Sequence, residues 1–281
     1  MSPAARIETF GDFRDDLARD GFAVVKGALS REKTAEVVEK FYTYLEDFNL
    51  GFNRYDLSTI KRSKLPYINE KGMMIHYGSA HEDLSGKFPH QDQDPDKPGF
   101  RCLQGLVNLQ PCGPDDGGLI VCKGAHLLSE QFHEDMKYEK RIPQWNPEWY
   151  GFTDVGMAWL VDHGCTWEKV CADPGDLILW DSRTPHYNKS PENGSTQDRM
   201  AVYTCYMPVA EASQDDLIKK KDAWDRKVGT SHWPNAQFVG SNKAMRGEDL
   251  NGVERAEPVN PAVLSERAFK LTGVPYIKSK T

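Results

Sequence analysis

The sequence has no long hydrophobic run. No stretch of its 281 residues approaches the ~20 apolar residues that a membrane-spanning helix needs. The opening Met1-Ser-Pro-Ala-Ala-Arg-Ile-Glu8 lacks the apolar core of a secretory signal. The closing Lys278-Ser279-Lys280-Thr281 is not the peroxisomal Ser-Lys-Leu signal. A cytoplasmic protein is therefore expected, with no membrane partner. Positive charge is also short: 35 Lys and Arg stand against 42 Asp and Glu, a net charge of −7. Without a basic stripe, nucleic acid is excluded as the expected partner. The longest basic run, Lys219-Lys220-Lys221, is flanked by Asp215, Asp216 and Asp222 and reads as a solvated face. The six cysteines form no Cys-x-x-Cys pair, which argues against a structural zinc site. Free buried thiols are expected in such a compartment, rather than disulfides. Internal repeats and low-complexity tracts are missing as well.

What is present is an ordinary globular composition, 39% hydrophobic and 27% charged. The length suits one large domain. We read residues 1–281 as a single domain with a core over about 10–210, followed by an extension over 211–281 that acts as a lid or a dimer contact. A monomer or a homodimer is expected.

Residues 12–19 read as a short helix, with Phe13 and Leu17 inward, and Gly21–Lys26 as a strand. Ser30 is a plausible N-cap for a helix over 31–48, where Ala35, Val38, Phe41, Leu45 and Phe48 fall on one face. The middle of the chain turns to short β-like runs separated by Gly, Pro and Asp: Met73–Tyr77, Cys102–Leu109, Leu119–Cys122, Val155–Val161, Leu177–Trp180 and Arg199–Met207. This pattern predicts a mainly β sandwich or barrel with flanking helices. Residues 211–255 read as polar and irregular.

Chemistry concentrates at His90-Gln91-Asp92. Two imidazoles and one carboxylate on one ion, with the opposite face open, are the ligand set of non-haem Fe(II) oxygenases. A His-x-acid triplet alone is weak, since this composition gives roughly one by chance. The chain holds three, at His81, His90 and His133. On a strand residues i and i+2 point the same way, whereas on a helix they diverge. His133 lies in a segment that reads as helix or loop and is a poor chelate. His81 lies in a polar turn and remains a minor candidate. Pro89 favours extended backbone before His90. The second imidazole is assigned to His186, after the strand Leu177–Trp180. Arg199 opens the next strand, where it can pair bidentately with a carboxylate.

These motifs resemble the phytanoyl-CoA dioxygenase family of Fe(II)- and 2-oxoglutarate-dependent oxygenases. The resemblance rests on Asp20-Gly-Phe-Ala-Val-Val-Lys-Gly-Ala-Leu-Ser30, Pro89-His-Gln-Asp92, Gly117-Gly-Leu-Ile-Val-Cys-Lys-Gly-Ala-His126, and Pro174-Gly-Asp-Leu-Ile-Leu-Trp180 followed by His186. It covers roughly residues 10–210. It implies a double-stranded β-helix, the jelly roll of the cupin-like proteins, with helices outside. It implies Fe(II) on His90, Asp92 and His186, 2-oxoglutarate as cosubstrate with its distal carboxylate on Arg199, and O2 as oxidant. It implies hydroxylation of a small organic molecule, or desaturation or ring formation, through an Fe(IV)-oxo species with release of succinate and CO2. Halogenating relatives replace the carboxylate ligand by a small residue, so Asp92 argues against halogenation. The interval from His186 to Arg199 is slightly long for the family, which leaves Arg183 as a competitor. His126 reads as structural and His163 as a loop residue.

Strand alternation places Gln104, Leu106 and Asn108 on one face of Cys102–Leu109, expected to line the pocket, and Tyr203 on the face of Arg199. Gln104 and Lys87 are candidates for the cosubstrate. His76, Asn108, Trp180 and Tyr203 are candidates for the substrate pocket. Two other readings stay open: a non-catalytic jelly-roll scaffold, and a facial-triad iron enzyme that does not use 2-oxoglutarate.

Overall fold

The computed structural model describes residues 9–47, 49–61, 64–65, 88–142, 147–225, 233–235 and 264–278. The chain packs as two compact units, residues 1–34 with 85–203 and residues 35–84 with 204–281.

The first unit opens with helix α1 (Phe13–Asp20). Asp12 caps it by accepting from the Arg14 N–H, and Gly21 closes it in the left-handed region. Strand β1 (Phe22–Val25) follows at once. Ser30 caps helix α2 (Arg31–Glu46) by accepting from the Lys33 N–H at 3.2 Å. On α2 only Thr34 is fully buried among the described side chains, and Val38, Phe41 and Leu45 are half-buried while Ala35 is exposed. The expected apolar stripe is thus real but shallow, and Phe48 lies outside the described residues.

The remaining strands are β2 (His90–Gln91), β3 (Leu103–Asn108), β4 (Gly118–Lys123), β5 (Tyr150–Gly151), β6 (Thr166–Lys169), β7 (Leu177–Asp181), β8 (His186–Lys189) and β9 (Ala201–Tyr206). They form two sheets, β1-β7-β3-β9 and β5-β2-β8-β4-β6. Consecutive strands mostly sit in different sheets, and the pairs β1–β7, β3–β7, β2–β8, β4–β8 and β4–β6 are antiparallel. This is the double-stranded β-helix that the family resemblance implies. The turn before β7 is pinned at its base. Asp176, 2% exposed, accepts from Lys26 Nζ, the Gly27 N–H and the Asp173 N–H.

Period-two alternation decides what faces inward. Phe22, Leu106, Ile178 and Trp180 from one sheet meet Leu119, Val121 and Val170 from the other side. Fully burying each such side chain is worth roughly 1.5–3 kcal/mol. The alternate residue Cys122 faces outward. There it packs with Phe132, Tyr150, Phe152 and Leu160, which belong to or adjoin helices α3 (Ser129–Asp135) and α4 (Asp154–Asp162).

Helix α4 corrects the strand expected over Val155–Val161. A short apolar run fits either element. The Thr153 side chain decides it here, accepting from the Gly156 N–H at 3.1 Å and so nucleating a helix. Val155 and Val161 are exposed, while Gly156 and Leu160, one helical turn apart, are buried. The second unit corrects the irregular reading of 211–255, since helix α5 covers Gln214–Asp225. Lys219 and Lys221 are solvated as expected. Lys220 is half-buried and donates to the Pro234 carbonyl at 3.2 Å. Burial pulls its ammonium pKa down. A last helix, α6, covers Glu266–Leu271. The expected strand Met73–Tyr77 lies outside the described residues.

All six cysteines are free. Cys102, Cys112, Cys122 and Cys165 are buried as expected, but Cys171 is exposed and Cys205 half-buried. Among the described residues no helix is long and apolar enough to cross a membrane.

Candidate metal centre

The register of the second sheet sets His90 of β2 directly opposite His186 of β8. Opposed residues share a face, and His186 is also opposite Val121, an inward residue. Both imidazoles therefore point into the barrel. The pairing runs one step past β2, where the Asp92 N–H donates to the Ser182 carbonyl at 3.1 Å. Alternation then turns Asp92 to the side of His90 and Gln91 to the opposite face.

The result is a compact donor set. Ligand atoms of His90, Asp92 and His186 lie within 4.8 Å of one another. Asp92 Oδ1 is 3.7 Å from His90 Nε2, and Oδ2 is 3.4 Å from His186 Nε2. Each histidine is fixed in the same way. His90 Nδ1 is 2.9 Å from the Phe88 carbonyl, and His186 Nδ1 is 2.9 Å from the Thr184 carbonyl. A carbonyl only accepts, so in the neutral rings Nδ1 carries the proton and Nε2 presents its lone pair towards Asp92. Such backbone anchoring sets both tautomer and ring orientation for a metal. Gln104 Nε2 donates to Asp92 Oδ2 at 2.9 Å.

The walls are aromatic. Phe88 and Trp149 stack on His90 at 5.3 and 5.8 Å, and Trp180 tilts against His186 at 5.4 Å. Two buried polar atoms beside the triad, Gln104 Oε1 and Trp180 Nε1, have no hydrogen-bond partner among the described residues. Buried polar groups are normally satisfied, so these two are suited to a bound molecule.

The two arginine candidates differ sharply. Arg183 is committed to Asp181, with Nε–Oδ1 at 3.1 Å and Nη2–Oδ2 at 2.7 Å, and Glu130 lies 3.6 Å away. Arg199 Nη2 donates to the Tyr203 hydroxyl at 3.1 Å and, among the described residues, has no carboxylate partner. Arg199 lies two residues before β9, not at its start as expected, and is half-buried, while its partner Tyr203 is 41% exposed and not enclosed in a pocket as expected. Burial works against the guanidinium charge, but Tyr203 and Cys112 outweigh it and hold the pKa above its ordinary value.

Asn108 shares the face of Gln104, but its amide donates to the backbone carbonyls of Gln110, Ala172 and Asp173. It ties a strand end to its loops. His76 and Lys87 lie outside the described residues, as does the triplet at His81. His133 lies on α3, the geometry expected to defeat chelation, and its Nε2 meets Gln91 Oε1 at 3.2 Å. Burial pushes its pKa down to about 4, so it is neutral. His126 is structural, with Nε2 against the Ala18 carbonyl at 3.1 Å. His163 sits at the end of α4, stacked on Trp159.

Several supporting residues were not anticipated: Phe88, Trp149 and Thr184. A signal for two of them was present. Both ligand histidines follow proline, in Phe88-Pro89-His90 and Thr184-Pro185-His186. Proline fixes its own φ and extends the residue before it, which brings the carbonyl two residues back onto Nδ1.

The donor chemistry suits Fe(II): two imidazoles and one carboxylate whose ligand atoms lie within 4.8 Å of one another. Comparison with known proteins agrees. The family profile of Phytanoyl-CoA dioxygenase (PhyH) matches residues 78–201. "Ava biosynthesis cluster protein O" of Aspergillus versicolor is 32% identical over 272 residues, covering 81% of this chain and 87% of that protein. Among solved structures, hypothetical protein JW0805 of Escherichia coli has a TM-score of 0.51 at 13% identity, over 76% of this chain and 72% of that one. EctD from S. alaskensis, solved with 2-oxoglutarate and 5-hydroxyectoine, has a TM-score of 0.44 at 17% identity, over 70% of this chain and 76% of that one. With the metal motif inside the matched segment and the relative aligned over most of both chains, the chain belongs to the phytanoyl-CoA dioxygenase family and is a non-haem Fe(II)- and 2-oxoglutarate-dependent oxygenase.

Proposed function

We propose that this oxygenase hydroxylates a small organic substrate, or desaturates or cyclises it, at an iron held by His90, Asp92 and His186. The observation that carries the assignment is the convergence of the three ligand atoms within 4.8 Å, with both histidine Nδ1 atoms anchored on backbone carbonyls. The metal, when bound with 2-oxoglutarate, supplies the activation of O2, and the protein supplies orientation and exclusion of side reactions.

The roles of the side chains follow from their placement. The two imidazoles and Asp92 would hold the metal together, with room left for cosubstrate and oxidant. Arg199 offers a forked pair of donors to the distal carboxylate of 2-oxoglutarate, with Tyr203 holding the guanidinium. Arg183, already spent on Asp181, is the weaker candidate. Phe88, Trp149 and Trp180 wall the ligand histidines with apolar surface, which excludes water and strengthens the charges inside. The relative's description as a biosynthesis cluster protein supports a substrate drawn from a biosynthetic pathway.

The test is an anaerobic titration of the iron-loaded protein with 2-oxoglutarate, read by the visible charge-transfer band of the chelate. Arg199→Ala is expected to weaken the band's 2-oxoglutarate dependence strongly, and Arg183→Ala to leave it nearly intact. The opposite order would transfer the carboxylate site to Arg183. A band that never forms, with iron bound, would favour an enzyme that does not use 2-oxoglutarate.

A further inference from the structure

This inference rests on the iron reading above and concerns Gln104. The side chain sits in β3, 3% exposed, opposite Trp180. Its neighbours along that face, Leu106 and the opposed Ile178, are apolar. A residue kept for packing alone would be apolar here as well. Instead the amide donates Nε2–H to Asp92 Oδ2 at 2.9 Å and leaves Oε1 buried without a partner among the described residues. Such an orphaned acceptor costs stability. The fold carries that cost at a position whose side-chain hydrogen bond reaches a ligand carboxylate.

The chemistry of that bond is specific. A carboxylate that ligates through both oxygens takes two coordination positions. A donor fixed on Oδ2, the oxygen 3.4 Å from His186 Nε2, would disfavour that mode and leave Oδ1, 3.7 Å from His90 Nε2, as the oxygen to hold the metal. Oε1, for its part, cannot meet an oxygen of 2-oxoglutarate, which at neutral pH brings acceptors only, and one of the two Nε2 hydrogens is held by Asp92. We propose that Gln104 is a positioning residue of the iron site, holding Asp92 in one-oxygen ligation, with a role distinct from the cosubstrate contact its sequence position suggested.

The experiment uses the purified full chain under anaerobic conditions. Fe(II) is titrated first, and 2-oxoglutarate is then titrated at saturating Fe(II), for wild type, Gln104→Met and Gln104→Leu. Both substitutions remove the donor without adding charge. Both variants are expected to bind Fe(II) about 10–100-fold more weakly, the range for outer-shell partners, with 2-oxoglutarate affinity unchanged once iron is saturating. Metal-free Gln104→Met is expected to melt at or above wild type, because a buried orphan acceptor has been removed. Unchanged Fe(II) affinity, a loss confined to 2-oxoglutarate, or a Gln104→Met protein melting well below wild type would each overturn the proposal. Failure of the wild type to bind Fe(II) would instead overturn the iron reading beneath it.

Discussion

Replacing Gly21 by alanine should both destabilise the protein and loosen its iron site. Gly21 ends α1 at φ +82°, donates its N–H to the Leu17 carbonyl, and accepts from the Asp181 N–H at 3.0 Å and from Thr184 Oγ1 at 2.8 Å. A methyl group there would sit 2.5 Å from His126 Nδ1 and 2.7 Å from Thr184 Oγ1. His126 is 2% exposed and Thr184 fully buried, so neither has room to retreat. The left-handed backbone costs an L-residue about 1–2 kcal/mol, and overpacking a dense site costs about 1–3 kcal/mol more. The sum, roughly 2–5 kcal/mol, is a large part of the ~5–15 kcal/mol that holds a domain folded. At ~2–4 °C per kcal/mol for chains near this size, the melting temperature should fall by about 5–20 °C. Thr184 also carries the carbonyl that orients His186, so Fe(II) affinity should drop with it. The control is Gly194→Ala, at φ +74° with nothing within 4 Å of the added methyl, which meets the backbone cost alone. Calorimetry of both variants separates the terms. If Gly21→Ala melts with Gly194→Ala, the steric reasoning is wrong.

Pro185→Ala releases the backbone that presents the Thr184 carbonyl to His186. Fe(II) affinity should fall by up to about tenfold, the low end for an outer-shell change, with the melting temperature little altered; an unchanged isotherm would deny proline that role. His133 should make stability pH-dependent. Its folded pKa of about 4 lies below the ordinary 6.5 because burial disfavours the charged ring. Between these values the unfolded chain binds the extra proton, so stability is full above pH 6.5 and is lost as pH falls towards 4. At about 1.4 kcal/mol per unit the loss reaches up to about 3 kcal/mol, less solvent screening. Melts of metal-free His133→Gln against wild type should converge in slope above pH 6.5 and show a shallower decline below it; identical acid limbs would assign the decline to other groups.

Much of the site was legible because its chemistry is local. The two-residue alternation of His90 and Asp92 needs only an extended backbone, and Pro89 advertises one. The distal histidine was legible from the Pro174-Gly175-Asp176 turn feeding an apolar strand. Elements governed by side-chain capping or by distant partners were harder. Val155–Val161 is apolar enough for either structure, and a single Thr153 hydroxyl tips it to helix. Strands β6 and β8 are short and carry Glu168, Lys169, Asn188 and Lys189, so no apolar run marks them; pairing with β4 makes them strands. Asn108 was read as pocket lining from alternation alone, which cannot see the three carbonyls that occupy its amide. Gln104 was placed in the right neighbourhood, but its bond to Asp92 joins residues twelve apart and depends on the sheets closing over each other.

The central claim is that His90, Asp92 and His186 hold one iron. Its most direct test is an anaerobic Fe(II) binding isotherm of the metal-free protein, with His186→Ala and Asp92→Ala measured alongside and folding verified by circular dichroism. The expected result is one Fe(II) per chain for wild type, with binding lost or severely weakened in both folded variants. Tight stoichiometric binding that survives both substitutions would contradict the assignment.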